Sequence, residues 1–100
     1  MNVTTERDGN VLTMQMNGDI SGFEAEQWGS LVEIELDEDV EKVILDCSGM
    51  KYISSAGLRV LLKIQKKMDL NDGELIVKNI APTVMDILNV VGFADFLTIE

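Results

Sequence analysis

The chain has 100 residues, a length that suits one domain built around a single hydrophobic core. Apolar residues make up 46% of the sequence and aromatic residues only 5%, so Val, Leu, Ile and Met have to supply most of that core. The net charge of −10, from 18 acidic and 8 basic residues, argues against nucleic-acid binding and against docking on an anionic membrane by charge alone.

The first third of the chain predicts a β-hairpin followed by a helix. Alternating side chains predict a strand over about residues 10–16, and an Asp-Gly-Asn turn signal before it predicts an antiparallel strand over residues 3–7. Ser21 and Glu24 have the S-x-x-E spacing of a capping box, which predicts that helix one begins there and ends near Leu36. Its buried stripe is expected to be Ala25, Trp28, Leu31, Val32 and Leu36.

The rest of the chain alternates short apolar runs with helical segments. The runs at residues 43–45 and 75–77 are typical of buried parallel strands. Helix two is predicted over about residues 56–68, and helix three over residues 82–91, where a proline occupies the first turn and a glycine follows the end. A last short strand is predicted at residues 97–99.

The order of these elements is β-β-α-β-α-β-α-β, and the whole chain reads as a single domain over residues 1–100. Strand-helix-strand units with short links imply right-handed crossovers and a mostly parallel sheet. The predicted fold class is therefore α/β, with a mixed, mostly parallel sheet of about five strands. Its N-terminal strand is antiparallel, and three or four helices accompany the sheet.

The chemistry of common active sites is missing from the sequence. Without histidine there is no Ser-His-Asp triad, no usual general base and little prospect of a zinc site. The single cysteine, Cys47, follows an apolar run and is expected to be a small core residue. The acidic residues between Glu33 and Glu41 lack calcium-loop spacing and predict a solvated face. We therefore expect no enzymatic activity, no metal and no cofactor.

The sequence also lacks targeting signals. Its first ten residues, MNVTTERDGN, are polar and acidic, unlike a secretory leader. No apolar run approaches the roughly 18 residues that a membrane-spanning helix needs. We therefore expect a cytoplasmic protein that does not insert into membranes and is a monomer on its own.

Two consecutive serines, Ser54 and Ser55, lie at the turn between a buried strand and helix two. A hydroxyl at that point caps the helix, which is worth about 1 kcal/mol, and the helix dipole would tolerate a phosphate there. The turn also follows a parallel strand, where open α/β folds place their ligands. Ala56 and Gly57 keep the surface after the serines small. Local chemistry leaves both a structural cap and a functional site open.

The segment YISSAGLRVL, residues 52–61, resembles the signature of the STAS family, the sulfate transporter and anti-sigma factor antagonist domains. In that family the signature more often has an Asp before Ser-Ser-Gly-Leu or Ser-Thr-Gly-Leu. Residues 18–20, 45–46 and 89–93 also resemble family positions, so the resemblance covers essentially the whole chain. It implies that residues 1–100 form a single domain with the STAS fold.

The resemblance also implies a function. Bacterial anti-sigma factor antagonists of this family bind an anti-sigma factor that is itself a serine kinase. The kinase phosphorylates a serine at the start of helix two, which releases it, and a phosphatase restores the antagonist. The expected function is therefore partner switching, with a kinase and a phosphatase as partners and no direct contact with nucleic acid.

Carried over to this chain, the resemblance makes Ser55 the expected phosphoacceptor and Ser54 the second choice. Ala56 stands where the family has its second hydroxyl, so that position cannot accept a phosphate. Half of the eight basic residues lie on helix two, whose basic edge is expected to join the serines in one partner surface. That predicted surface consists of Asp19, Ser21, Asp46, Ser54, Ser55, Ala56, Gly57, Arg59 and Lys63.

Two other functions stay open at this point. The chain is also compatible with a non-switching STAS subunit of a transporter complex, in which the serines are caps and helix two is a permanent docking face. A small-ligand or nucleotide sensor would instead use a pocket beside Gly18, Asp19, Asp46 and Ser55.

Overall fold

The structure, a computed structural model, describes residues 2–100. The strands are β1 (Asn2–Asp8), β2 (Val11–Asn17), β3 (Lys42–Gly49), β4 (Glu74–Lys78) and β5 (Thr98–Ile99). The helices are α1 (Gly22–Glu35), α2 (Ser55–Leu70) and α3 (Pro82–Val90), and a short 3-10 helix at Phe93–Asp95 follows them. The predicted order of elements is confirmed, and the 3-10 helix is the one element that the sequence patterns did not predict.

The five strands form one sheet in the order β1-β2-β3-β4-β5. The first pair is antiparallel and the other three pairs are parallel, which confirms the predicted mixed sheet. Because each crossover joins neighbouring strands in the same direction, right-handed connections place all three helices on one face. The core lies between that face and the helices, where Leu45 and Val77 of the sheet join one cluster with Trp28, Leu61 and Leu88 of the helices.

The opposite face of the sheet carries no helix. Side chains alternate along each strand, so Thr13, Ile44 and Asp46 point away from the core. Ile76 also lies on this face, where it is buried but stands outside the core cluster. Each of the three helices follows one of the parallel strands β2, β3 and β4, so all three helices begin at the edge of the sheet where these strands end.

Helix α1 and its C-cap residue Leu36 bury the predicted stripe, with Ala25, Trp28, Val32 and Leu36 inside the core and Leu31 half-buried. The predicted capping box is wrong. The Ser21 hydroxyl donates to the Glu24 carboxylate and caps no backbone N–H group. This charge-assisted hydrogen bond lowers the pKa of Glu24.

Helix α2 buries Gly57, Leu61, Ile64 and Met68 against the core. The structure buries Gly57, which the sequence analysis had placed on the small surface after the serines. A Cβ atom at Gly57 would lie 2.6 Å from Cγ1 of Ile53 and 3.0 Å from Cγ2 of Ile20. Glycine therefore lets the first turn of α2 pack against the loops that precede both long helices.

Helix α3 ends before a glycine in the left-handed conformation, as predicted. Gly92 adopts the left-handed conformation, with φ of 81°, two residues after the helix ends. The 3-10 helix then brings the chain back to the sheet, where β5 pairs with β4 over only two residues. None of the helices in the described residues is long and apolar enough to cross a membrane.

We expect Gly57→Ala to lower the free energy of unfolding by about 1–3 kcal/mol, because the added methyl group overpacks the contact with Ile53. Gly29→Ala is the matched control, since a Cβ atom there makes only an ordinary 3.5 Å contact with Val60. Helix propensity should make that control more stable by about 0.5–1 kcal/mol. Urea denaturation measures both changes, and a stabilised Gly57→Ala protein would contradict the packing argument.

Candidate functional site

A parallel backbone bridge holds the serine turn, residues Tyr52–Ser55, beside the loop before α1. Ile20 and Ile53 form the bridge. The Ile20 N–H donates to the Tyr52 carbonyl at 3.0 Å, and the Ser54 N–H donates to the Ile20 carbonyl at 2.8 Å. Both isoleucine side chains are buried. The bridge brings the loop that carries Asp19 and Ser21 next to the two serines.

Ser54 is the N-cap of α2. Its backbone is extended, and its hydroxyl oxygen accepts a hydrogen bond from the Gly57 N–H at 3.2 Å. The Leu58 N–H donates to the Ser54 carbonyl at 2.9 Å, which closes the first turn of the helix. The half-buried hydroxyl of Ser54 is therefore engaged in holding the helix end.

Ser55 is the first residue of α2, and it is exposed. Its hydroxyl makes no hydrogen bond within residues 2–100. The first N–H groups of a helix lack intrahelical acceptors and create a positive local potential. Ser55 thus offers a free hydroxyl at the point of the helix that best accommodates a negative group.

Asp19 and Ser21 lie on the neighbouring loop, as the sequence predicted. The Asp19 carboxylate accepts a hydrogen bond from the Lys51 N–H at 2.8 Å, which ties the loop to the residues before the serine turn. The Ser21 side chain is exposed and bonded to Glu24. Both side chains are accessible beside the serines while their polar atoms also hold the loop in place.

Asp46 occupies a different surface. It points to the helix-free face of the sheet, and its carboxylate accepts from the Asn79 side-chain amide at 3.0 Å and from the Ser48 N–H at 3.1 Å. These hydrogen bonds lower the pKa of Asp46, with the Asn79 contact the largest cause. The carboxylate therefore joins the ends of β3 and β4, and the structure does not bring it to the Ser55 hydroxyl.

A groove of about 370 Å³ runs between α1 and α2, starting from their first turns. Four small residues, three charged residues and a valine line it: Gly22, Ala25, Glu26, Gly29, Ala56, Arg59, Val60 and Lys63. The side chain of Lys63 pairs with Glu33 across the groove, which lowers the pKa of Glu33. Arg59 is exposed and forms no salt bridge with any residue that the structure describes.

Two exposed aromatic residues that the sequence analysis did not select lie near the serine turn. Tyr52 is 50% exposed within the turn, and Phe23 is 69% exposed in the first turn of α1. Exposed aromatic side chains are enriched among the residues that anchor protein interfaces. Their polar sequence neighbours were visible in the sequence, but their exposure follows only from how the serine turn and the start of α1 pack.

The thiol of the single cysteine is not accessible. Cys47 is buried in the core, as predicted, and burial raises the pKa of its thiol to about 12. Within residues 2–100, no group of three or more His, Cys, Asp or Glu side chains is placed to hold a metal ion.

The fold and site together define a small α/β domain that presents a free serine hydroxyl at the N-terminus of a helix. The STAS domain family model matches residues 2–100, and the chain belongs to that family. BtrV of Bordetella bronchiseptica, assigned by name to the anti-sigma factor antagonists, is 31% identical over 93 residues, which are 93% of this chain and 80% of BtrV. The chain is therefore a homologue of anti-sigma factor antagonists.

Solved structures share the fold. The Bacillus anti-sigma factor antagonist SpoIIAA in its unphosphorylated form has a TM-score of 0.81 at 15% identity, covering 99% of this chain and 87% of SpoIIAA. Its phosphorylated form has a TM-score of 0.78 at 15% identity over 99% and 91%. A sulfate transporter family protein from Wolinella succinogenes has a TM-score of 0.75 at 19% identity over 88% and 71%. These likenesses show the STAS fold and confirm the predicted fold class.

Ser54→Ala should lower the free energy of unfolding by about 1 kcal/mol, because it removes the hydroxyl that caps α2. Ser55→Ala is the matched control. It removes a hydroxyl that bonds nothing in the described chain and replaces it with a good helix former, so little change is expected. Urea denaturation of both variants tests the assignment, and a larger loss from Ser55→Ala would reverse the roles of the two serines.

The Asp46 carboxyl should titrate below its ordinary pKa of 3.8. A lowered pKa in the folded state adds stability above the unfolded pKa, and that stability is lost as the pH falls through the folded pKa. Asn79→Gly removes the amide that is the largest cause and suits the left-handed backbone at this residue, where φ is 58°. A carboxyl NMR titration should show a higher Asp46 pKa in the variant.

The same pair of proteins gives a stability test. Between about pH 5 and pH 3 the wild type should lose more unfolding free energy than Asn79→Gly, because the variant has less of the Asp46 interaction to lose. Parallel acid profiles of the two proteins would contradict the structural role of this carboxylate.

Proposed function

We propose that this chain is an anti-sigma factor antagonist that acts by partner switching. The unphosphorylated form binds an anti-sigma factor that is a serine kinase, and phosphorylation of Ser55 releases it. The observation that carries this proposal is the contrast between neighbouring hydroxyls, since Ser54 is engaged as the cap of α2 while Ser55 is exposed and unbonded.

The chemical step is a phosphoryl transfer from ATP. The bond between the γ-phosphorus and the bridging oxygen of ADP breaks, and a bond forms between that phosphorus and Oγ of Ser55. The hydroxyl proton passes to a base on the kinase, and ADP leaves. A phosphatase reverses the modification by hydrolysis: the bond between phosphorus and Oγ of Ser55 breaks, a water oxygen bonds to the phosphorus, and the serine hydroxyl regains its proton as inorganic phosphate leaves.

Electrostatics account for the release. A phosphoserine adds a charge of about −1.5 to −2 at neutral pH. The N-terminus of α2 offsets part of that charge, so the fold is expected to survive. At an interface the same group would be desolvated on a protein that already carries a net charge of −10. Repulsion and desolvation there cost on the order of several kcal/mol, so release needs no change of fold.

The comparisons support this function. A homologue assigned by name to the anti-sigma factor antagonists covers nearly the whole chain. SpoIIAA, whose structure is known in unphosphorylated and phosphorylated forms, has the same fold. The proposed role is that of a cytoplasmic binding protein rather than an enzyme.

The test uses the anti-sigma-type serine kinase that is encoded nearest to this chain. With ATP, the wild type should gain one phosphate on Ser55, detected by intact mass and peptide mapping, and should stop co-eluting with the kinase. Ser55→Ala should gain none and remain bound. Ser54→Ala is the control, because it loses the cap but keeps the acceptor and should still be phosphorylated and released.

Other outcomes select other functions. Phosphate on Ser54 in the wild type would move the acceptor by one residue. A complex that stays intact with ATP, with no phosphate on either serine, would contradict partner switching. It would instead favour a constitutive docking subunit, a role suggested by the shared fold of the transporter family protein.

A further inference from the structure

Arg59 is an exposed cation on α2, beside the groove between α1 and α2. With 18 acidic and 8 basic residues, a surface cation has many acids available as partners. Arg7 pairs with Asp37, and Lys63 pairs with Glu33. Arg59 of α2 lines the groove and, like the other five basic residues outside these two pairs, forms no ion pair with the residues that the structure describes. A cation near a helix N-terminus also gains nothing from the helix dipole.

The position of Arg59 relative to Ser55 suggests what this cation does. The two residues are four positions apart on α2, so their side chains lie one above the other on the same helix face. Long helical side chains lean toward the N-terminus, which directs the Arg59 guanidinium toward Ser55. Both side chains are exposed, and neither is engaged elsewhere in the described chain.

We propose that Arg59 changes its ion-pair partner when Ser55 is phosphorylated, a proposal that rests on the proposed function. In the unphosphorylated protein the guanidinium is free to bind a carboxylate on the kinase surface that covers the serine turn and the groove. In the phosphorylated protein the Arg59 guanidinium forms an ion pair with the phosphate on Ser55, because its planar N–H donors match the phosphate oxygens.

This exchange gives phosphorylation two effects on the complex. The phosphate adds negative charge at the interface, and it also withdraws the cation that the kinase had been using. The structure supplies the geometry for the second effect within one helix, so the exchange requires only side-chain rotation.

The first test needs no kinase. Phosphoserine is installed at position 55 of the full chain by genetic encoding, and its second ionisation, with a pKa ordinarily of about 6, is followed by phosphorus NMR. The wild-type chain should show a lower pKa than the Arg59→Gln variant, because the guanidinium favours the doubly charged phosphate. Equal pKa values in the two chains would overturn the proposal.

Lys66→Gln is the matched control for that titration. Lys66 is exposed, and its substitution by Gln removes the same charge from the same helix. It lies about 16 Å from Ser55 along the helix axis, which exceeds the screening length of about 8 Å at physiological salt. Its removal should leave the phosphoserine pKa near the wild-type value. A shift as large as that of Arg59→Gln would mean a general charge effect and would contradict a specific pair.

The second test measures kinase affinity without ATP. Arg59→Gln should weaken binding of the unphosphorylated chain by up to roughly fivefold. It should leave the affinity of the chain with phosphoserine at position 55 unchanged, because Arg59 is already withdrawn in that form. An equal loss in both forms would overturn the exchange. If the kinase fails to phosphorylate Ser55, the proposed function fails, while the NMR result still decides the ion pair.

Discussion

The backbone bridge between Ile20 and Ile53 is the contact on which the arrangement of this protein's serine turn depends. Two hydrogen bonds join the loop before α1 to the residues before α2, and the two isoleucine side chains are buried beneath them. Gly57 packs against both side chains from the first turn of α2. The start of α2 is therefore held from two directions, by the bridge and by close packing that only glycine permits.

The fixed helix start separates the two serines by role, although they are neighbours in the chain. Ser54 has the extended backbone of an N-cap, which turns its hydroxyl back toward the Gly57 N–H. Ser55 already has helical geometry, so its side chain leaves the helix end and faces solvent. Modification of Ser55 can then alter a partner surface without removing the cap that keeps α2 in place, which couples local geometry directly to the proposed switch.

Of the residues that the sequence analysis placed around the serine turn, the structure brings some to it and leaves others on a different face. Asp19 and Ser21 lie beside the serines, because the loop pairing brings two segments about 33 residues apart into contact. Asp46 lies on the helix-free face, since strand alternation turns its side chain away from the neighbouring core residues. The sequence pattern shows alternation within a strand but does not show which loop will cover which face. For the same reason it could not reveal that Lys63 is paired and Arg59 is free.

The sequence alone determined the order of strands and helices, the mixed parallel sheet and the family, because apolar periodicity, turn signals and the signature around the serines are local properties of the chain. It also identified the serine pair, since a hydroxyl before a helix is recognisable from spacing. Only the tertiary structure decided which serine is the cap, that Gly57 is an internal packing residue, and that the Ser21 hydroxyl bonds to Glu24. Those outcomes depend on distances between atoms of different segments and on the local backbone conformation, and neither is fixed until the loops and helices pack against one another.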